Sequence, residues 1–281
     1  MRERKMSPVL KWAGGKTQLL GLITDNMPTE YNNYYEPFIG GGAVLLGLSP
    51  QRAFFNDINE QLINLYLQLK TAVENVIEKV NKLDSVPCNS EVYYGIREQY
   101  NQKIANHDLD AECAALMIWI NKHCFNGLYR VNKKGLFNVP YNNRVNGKSI
   151  DESNMRAISE YLQNADATIT CADFEMACEN VLPGDFVYFD SPYVPESITA
   201  SFTDYTKDSF SLADHKRLAV LFRRLDRLGA KLMLSNNDLP FVRELYAGYH
   251  IQSIGVKRMI NRDANKRTGK EVLVKSEAKR S

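Results

Sequence analysis

The chain has 281 residues, 44% of them apolar, with 35 basic and 33 acidic side chains and a net charge of +2. That length suits one domain, or one domain with a large insertion, and the balanced charge neither demands nor excludes nucleic acid. Five cysteines without a C-x-x-C pair and four distant histidines argue against a disulfide framework or a zinc site. The polar, basic N-terminus and the lack of a long apolar run predict a cytoplasmic protein with reduced thiols.

The segment "LKWAGGKTQLL", Leu10 to Leu20, ends its glycine pair in Gly15, Lys16 and Thr17, like a phosphate-binding loop. The G-x-x-x-x-G-K spacing needs another glycine at position 10, which is Leu10. Only a short polar segment lies upstream, so no strand is predicted to feed the loop. Both facts argue against an ATPase.

"NNYYEPFIGGGAVLLGL" predicts a strand, a glycine loop and an apolar helix, and "RAFFNDIN" a second strand ending at Asp57. Three glycines alone fit a plain turn. Between a strand and a helix, Gly40 and Gly42 let a ligand approach the backbone, and Asp57 can accept the ribose hydroxyls of an adenosine. Leu45 stands where G-x-G-x-x-G needs its last glycine, so an adenosine cofactor without a pyrophosphate fits better than a dinucleotide.

Helical spacing then runs from Leu62 to Leu83. "EVYYGIREQYNQKI" and "ECAALMIWINKHCF" predict two more helices. "YRVNKKGLFNVPYNNRVNG" follows, with two β-like runs about Asn132–Gly135; Gly135 can take positive φ, which predicts a hairpin. "ATITCADF", "DFVYFDSPY" and "AKLMLSNND" predict short strands, each an apolar run ending in polar groups. A helix starting at a Ser211 cap and stopping at Gly229 lies between the last two. "HIQSIGVKRMI" and "KEVLVKS" predict an antiparallel pair. The expected organisation is a Rossmann-like α/β domain from 1–63 and 152–281, with an inserted helical and hairpin module over 64–151. Glu36, Asp57, Asp173, Asp190 and Asn236 all fall at carboxyl ends of predicted strands, where such sheets bind ligands.

"DSPY", Asp190 to Tyr193, fits two readings. One is a strand-terminating turn with a packed tyrosine. The other is a clamp in which Asp190 and a turn carbonyl accept an amino group's two N–H bonds while Tyr193 stacks on a planar base. The C-terminal stretch is also open. Residues 257–281 hold nine Lys/Arg against three Asp/Glu, as a solvated tail or a phosphate-contacting loop.

Taken together, "KWAGGK", "EPFIGGGAV", "NDIN", "NGLYRVNKKGLFNVPY", "DSPY" and "LSN" resemble the Dam family of DNA adenine-N6 methyltransferases that act on GATC. The likeness spans about Val9 to Val274, with the motifs in the family's order. It implies S-adenosyl-L-methionine as methyl donor, no metal, and double-stranded DNA as partner. It implies a monomer in solution, with room for more than one copy on DNA. Trp12, Lys16, Glu36, Pro37, Phe38, Gly40, Gly42 and Asp57 match the donor pocket, and Asp173 with Phe174 the pair that holds its adenine. Asp190, Ser191, Pro192 and Tyr193 match the catalytic tetrapeptide. Lys11 matches a lysine that reaches the target site; Phe125, Asn126, Leu128, Arg130, Asn132 and Pro140 match the recognition hairpin and its aromatic wedge. Phe125 alternatively reads as a core aromatic beside Trp119. Arg130 is the expected guanine reader. Arg258, Arg262, Lys266 and Arg267 become candidate phosphate contacts.

Ser191 departs from the family, which has proline there; the backbone carbonyl survives and the φ restriction does not. The resemblance implies direct methyl transfer to a flipped adenine without a covalent intermediate. No catalytic cysteine is expected, and Cys171 and Cys178 read as buried packing residues. The alternatives are an amino-group methyltransferase acting on RNA or protein glutamine, a non-catalytic DNA-binding relative, and a dehydrogenase.

Overall fold

A computed structural model describes residues 6–144, 147–194, 210–257 and 268–276. Its strands are β1 (Tyr34–Glu36), β2 (Ala53–Asn56), β3 (Thr168–Thr170), β4 (Phe186–Phe189), β5 (Lys231–Asn237), β6 (His250–Lys257) and β7 (Thr268–Lys275). Its helices are α1 (Leu20–Asn26), α2 (Ala43–Leu48), α3 (Glu60–Thr71), α4 (Val73–Asp84), α5 (Ser90–Asn106), α6 (Ala111–His123), α7 (Glu152–Asn164), α8 (Phe174–Ala177), α9 (Leu212–Leu228) and α10 (Pro240–Leu245). The strands follow the order β3-β2-β1-β4-β5-β7-β6. The expected Rossmann-like α/β sheet is therefore present, with an antiparallel β7 between β5 and β6. Among the described residues no helix is long and apolar enough to cross a membrane.

The chain forms two compact units. The first comprises residues 1–26 and 39–172. In it β2 pairs in parallel with β3, and α3, α4, α5 and α6 pack around one another. Nearly every residue of α6 is buried, from Ala111 through Trp119 to Ile120, which explains its near-continuous apolar sequence. The Leu62–Leu83 pattern is two helices rather than one. Ala72 leaves the helical region at φ −145° and its N–H closes α3 on the Gln68 carbonyl, so α4 starts a new axis with its own buried stripe of Val76, Ile77 and Val80. Position 64 lies inside α3, and Asp151 caps α7 by accepting from the Asn154 N–H.

The second unit comprises residues 27–38 and 173–281. Here β1, β4 and β5 pair in parallel, and β5–β7 and β7–β6 are antiparallel. β4 is buried along its whole length, as a central parallel strand requires. α9 begins with a reciprocal capping box between Ser211 and Asp214 and ends on Gly229 at φ +97°, as its sequence signals predict.

Candidate active site

In the first unit, the Gly14–Gly15 turn is closed by the Gly15 N–H on the Trp12 carbonyl (3.2 Å) and leads into a 3₁₀ turn, Lys16–Gln18. Lys16 is buried and its Nζ donates to the Gly14 carbonyl at 2.7 Å. No strand precedes this loop among the described residues, unlike a P-loop.

Trp12 lies against the glycine loop. A Cβ on Gly40 would stand 2.9 Å from Trp12 Cδ1, and one on Gly42 2.5 Å from the Tyr66 hydroxyl. Both glycines have positive φ, +47° and +72°. The Tyr66 hydroxyl donates to the Gly40 carbonyl (3.0 Å), while the Gly40 N–H donates to Asp57 Oδ2 (3.1 Å). Asp57 Oδ1 accepts from the Asn59 N–H at 3.0 Å. Burial pushes the Asp57 carboxyl above the usual carboxylate range, against the opposing pull of its backbone N–H donors. A ligand with hydroxyl donors would relieve that cost.

The DNA-reading candidates of this unit lie in one turn and hairpin. After α6, Phe125–Gly127 form a 3₁₀ turn with Asn126 at φ +58°. Phe125 is 51% exposed, which removes it from the core beside Trp119 and leaves its ring available as a wedge. Its N–H donates to the Pro140 carbonyl at 2.8 Å. The hairpin is present: Val131 bridges Phe137, and Gly135 sits at φ +77°. Arg130 is exposed, with Nε donating to Asn138 Oδ1 at 2.8 Å. Asn132 is engaged in the turn, where its Oδ1 accepts from the N–H groups of Lys134 and Leu136. Leu128 is half-buried and Pro140 exposed. Lys11 is exposed, with its stem against Gly127.

In the second unit, Glu36 is buried at the end of β1 and accepts from the Tyr34 hydroxyl at 2.7 Å. Pro37 is buried next to it. Phe38, Phe174 and Phe210 form an aromatic triangle with ring centroids 5.5–5.6 Å apart. Asp173 caps α8 through Oδ1, which also accepts from Arg217 at 2.9 Å. The same guanidinium lies 4.8 Å from the centre of the Phe174 ring.

The 190–194 segment leaves β4 and is held from β5 and β7. Asp190 Oδ1 accepts from Ser235 Oγ at 3.0 Å, and Ser235 Oγ also pairs with the Tyr188 hydroxyl at 2.8 Å. Ser191 is buried, and its Oγ accepts from Asn236 Nδ2 at 3.3 Å. Asn236 Oδ1 accepts from the Val194 N–H at 3.3 Å, and Asn237 Nδ2 donates to the Val194 carbonyl. Pro192 is exposed. The Tyr193 hydroxyl donates to Glu271 Oε2 at 2.6 Å. Burial first, then the nearby charges of Asp190 and Glu271, drive the Tyr193 phenol far above its ordinary range, so it stays a neutral donor.

Sequence reasoning named "LSN" but gave no role to Ser235, and it missed Asn237, Glu271, Asn138 and Arg217. Most of their partners in the site are distant in sequence, and the near one, Arg130 eight residues from Asn138, meets it only across the folded hairpin, so no spacing rule reveals them. One expectation needs correction: Cys171 is exposed at the end of β3, whereas Cys178 is buried as expected. Arg258, Arg262, Lys266 and Arg267 lie outside the described residues.

Residues 12–260 match the family described as D12 class N6 adenine-specific DNA methyltransferase. The chain is 44% identical over 279 residues to the Type II methyltransferase M.MjaIII of Methanocaldococcus jannaschii, covering 94% of this chain and 96% of that one. It is 43% identical over 254 residues to the Type II methyltransferase M1.LlaDCHI of Lactococcus lactis, covering 90% and 89%. It is 35% identical over 264 residues to a DNA adenine methylase of Vibrio cholerae, covering 92% of each chain. With these matches over nearly the whole chain, the chain belongs to the D12 class of N6 adenine-specific DNA methyltransferases.

Proposed function

We propose that this chain methylates the N6 amino group of an adenine flipped out of double-stranded DNA, within GATC, with S-adenosylmethionine as donor. The observation that carries the reading is the anchored 190–194 segment: a strand-end carboxylate, a buried serine and an aromatic ring, each tied to a different residue of β5 or β7.

The residues present fit the donor. Gly40 and Gly42 take positive φ and let the loop close against Trp12 and Tyr66 with a bare backbone, and Asp57 offers a part-buried carboxylate to ribose hydroxyls. Phe38 and Phe174 offer aromatic faces, with Asp173 beside them for an adenine amino group. Trp12 and Lys16 in the first unit, and Glu36 and Pro37 in the second, are the other residues that the family resemblance assigns to the donor. When bound, S-adenosylmethionine supplies an electrophilic methyl on a positively charged sulfur. Asp190 and the Ser191 carbonyl accept the two N–H bonds of the target amino group. That draws the nitrogen lone pair out of conjugation and holds it in line, so the acceleration is positioning and electrostatics. Ser235 fixes one Asp190 oxygen for this task. Tyr193 stacks on the extruded base while Glu271 holds its hydroxyl.

Residues 64–151 serve as the target-recognition insert. Arg130 reads a guanine edge, with Asn138 fixing one side of its fork. Phe125 fills the gap left by the flipped base, and Lys11, Asn126 and Leu128 contact the site. The cations of 258–267 contact backbone phosphates. The protein is a monomer in solution, with room for more than one copy on DNA, and works in the cytoplasm.

The test is methylation of plasmid DNA with the donor, probed by nucleases that discriminate methylated from unmethylated GATC. Protection by the wild type and none by Asp190→Ala is expected. Methyl incorporation without GATC protection would move the target sequence. No incorporation at all would overturn the proposal.

A further inference from the structure

α6 is apolar on every side, yet it carries a carboxamide near its C-terminal end. Asn121 is 4% exposed. Its Oδ1 accepts from the Lys11 N–H at 2.8 Å, and its Nδ2 donates to the Lys11 carbonyl at 2.9 Å and to the Gly127 carbonyl at 3.1 Å. An N–H faces the oxygen and two carbonyls face the nitrogen, so only one orientation of the amide satisfies all three bonds. Lys11 is 110 residues away in sequence, and Asn121 binds both backbone polar groups of that residue. On the far side of the amide, Gly127 sits at φ +65° against the Lys11 stem. A Cβ there would lie 2.6 Å from Lys11 Cδ and 2.8 Å from Lys11 Cβ. The next ring contact continues the junction, with Trp12 and Tyr129 stacked at 5.1 Å.

We infer that Asn121 is a positioning residue for target reading, which fixes the Lys11 backbone to the Phe125–Leu128 turn so that both reach the DNA in one frame. The inference rests on the proposed DNA roles of Lys11 and of that turn. A lysine stem has many rotamers, and its reach is set by where its Cα is held. The turn carries a wedge and base-edge contacts whose worth depends on ångström-scale placement. One buried carboxamide sets the spacing between these two elements. Losing it spares their chemistry and blurs their mutual distance, which costs discrimination between sites more than general DNA affinity.

The experiment uses the full chain on a randomised duplex library, read by sequencing sensitive to N6-methyladenine. Asn121→Ala is expected to lower kcat/KM at the wild-type site by about tenfold or more, and to change sites differing by one base pair by less than about threefold. Asn121→Asp keeps the shape but sets a charged oxygen against two carbonyls, and is expected to lose at least as much preference. Gly127→Ala perturbs the same junction from the Lys11 side and should narrow preference in the same way; it keeps the question answerable if the Asn121 variants fold poorly. Equal losses at cognate and one-base-different sites in all soluble variants would reduce Asn121 to a purely structural residue and overturn the inference. A wild type that methylates no DNA would instead overturn the proposed function, and this inference with it.

Discussion

Ser191 shows how a residue-level departure from a family pattern can be absorbed by its surroundings. Proline would restrict φ at this turn, and serine does not. Here the serine hydroxyl is buried and accepts from Asn236, so a hydrogen bond replaces a covalent restraint. The two effects are of similar size. A net hydrogen bond contributes about 1 kcal/mol, and a compatible proline contributes roughly 0.4–1 kcal/mol through the unfolded chain. Ser191→Pro is therefore expected to keep single-turnover methylation within about fivefold of wild type, since each 1.4 kcal/mol is a factor of ten. A loss of several hundredfold would mean that the hydroxyl acts in the chemistry. The tetrapeptide itself was legible from the chain. The hydroxyl's partner was not, because Asn236 is 45 residues away and meets Ser191 only when β5 is laid beside β4.

At the scale of elements, the glycine loop between β1 and α2 is the clearest case of sequence dictating backbone. Gly42 caps α2 at φ +72°, a region that costs a side chain roughly 1 kcal/mol or more. Its missing Cβ also leaves room for the Tyr66 hydroxyl, which holds the Gly40 carbonyl. Gly42→Ala must push that hydroxyl away as well as strain the loop. It is expected to weaken S-adenosylmethionine binding by about tenfold or more in calorimetry, with the α-helical circular dichroism retained. Unchanged affinity would detach this loop from the donor site. The glycines announced the turn, but Tyr66 was an ordinary apolar position in the α3 pattern until its hydroxyl found Gly40. The helical spacing over Leu62–Leu83 holds in both halves, and only packing decides that Ala72 breaks it into two axes.

At the scale of the whole molecule, burial of titratable groups sets the response to acid. His215 is 3% exposed, its Nε2 has no hydrogen-bond partner among the described residues, and desolvation pushes its pKa down to about 4. His123 is shifted downward too, by burial ahead of the opposing pull of Asp84. A histidine depressed in the folded state contributes stability above its unfolded pKa and loses it as pH falls toward the folded value. The window for His215 runs from about 6.5 down to about 4. Between pH 7 and pH 5 this one group should remove roughly 2 kcal/mol of stability. Asp57, raised by burial, works in the opposite sense. Urea unfolding at both pH values should therefore show a steeper loss in wild type than in His215→Phe. Equal losses would show that His215 is solvated in the folded protein. The sequence by itself determined the seven strands in chain order, the glycine turns and the caps of α9. Those depend on local backbone preference and on apolar periodicity, which are written along the chain. Only the tertiary structure decided that Phe125 is exposed and Cys171 is not buried, and that β7 slots between β5 and β6. It also decided that Glu271 holds Tyr193 and that Asn121 binds Lys11 to Gly127. The Glu271–Tyr193 and Asn121–Lys11 contacts join residues far apart in sequence, and their energies exist only once burial has removed water as the competing partner.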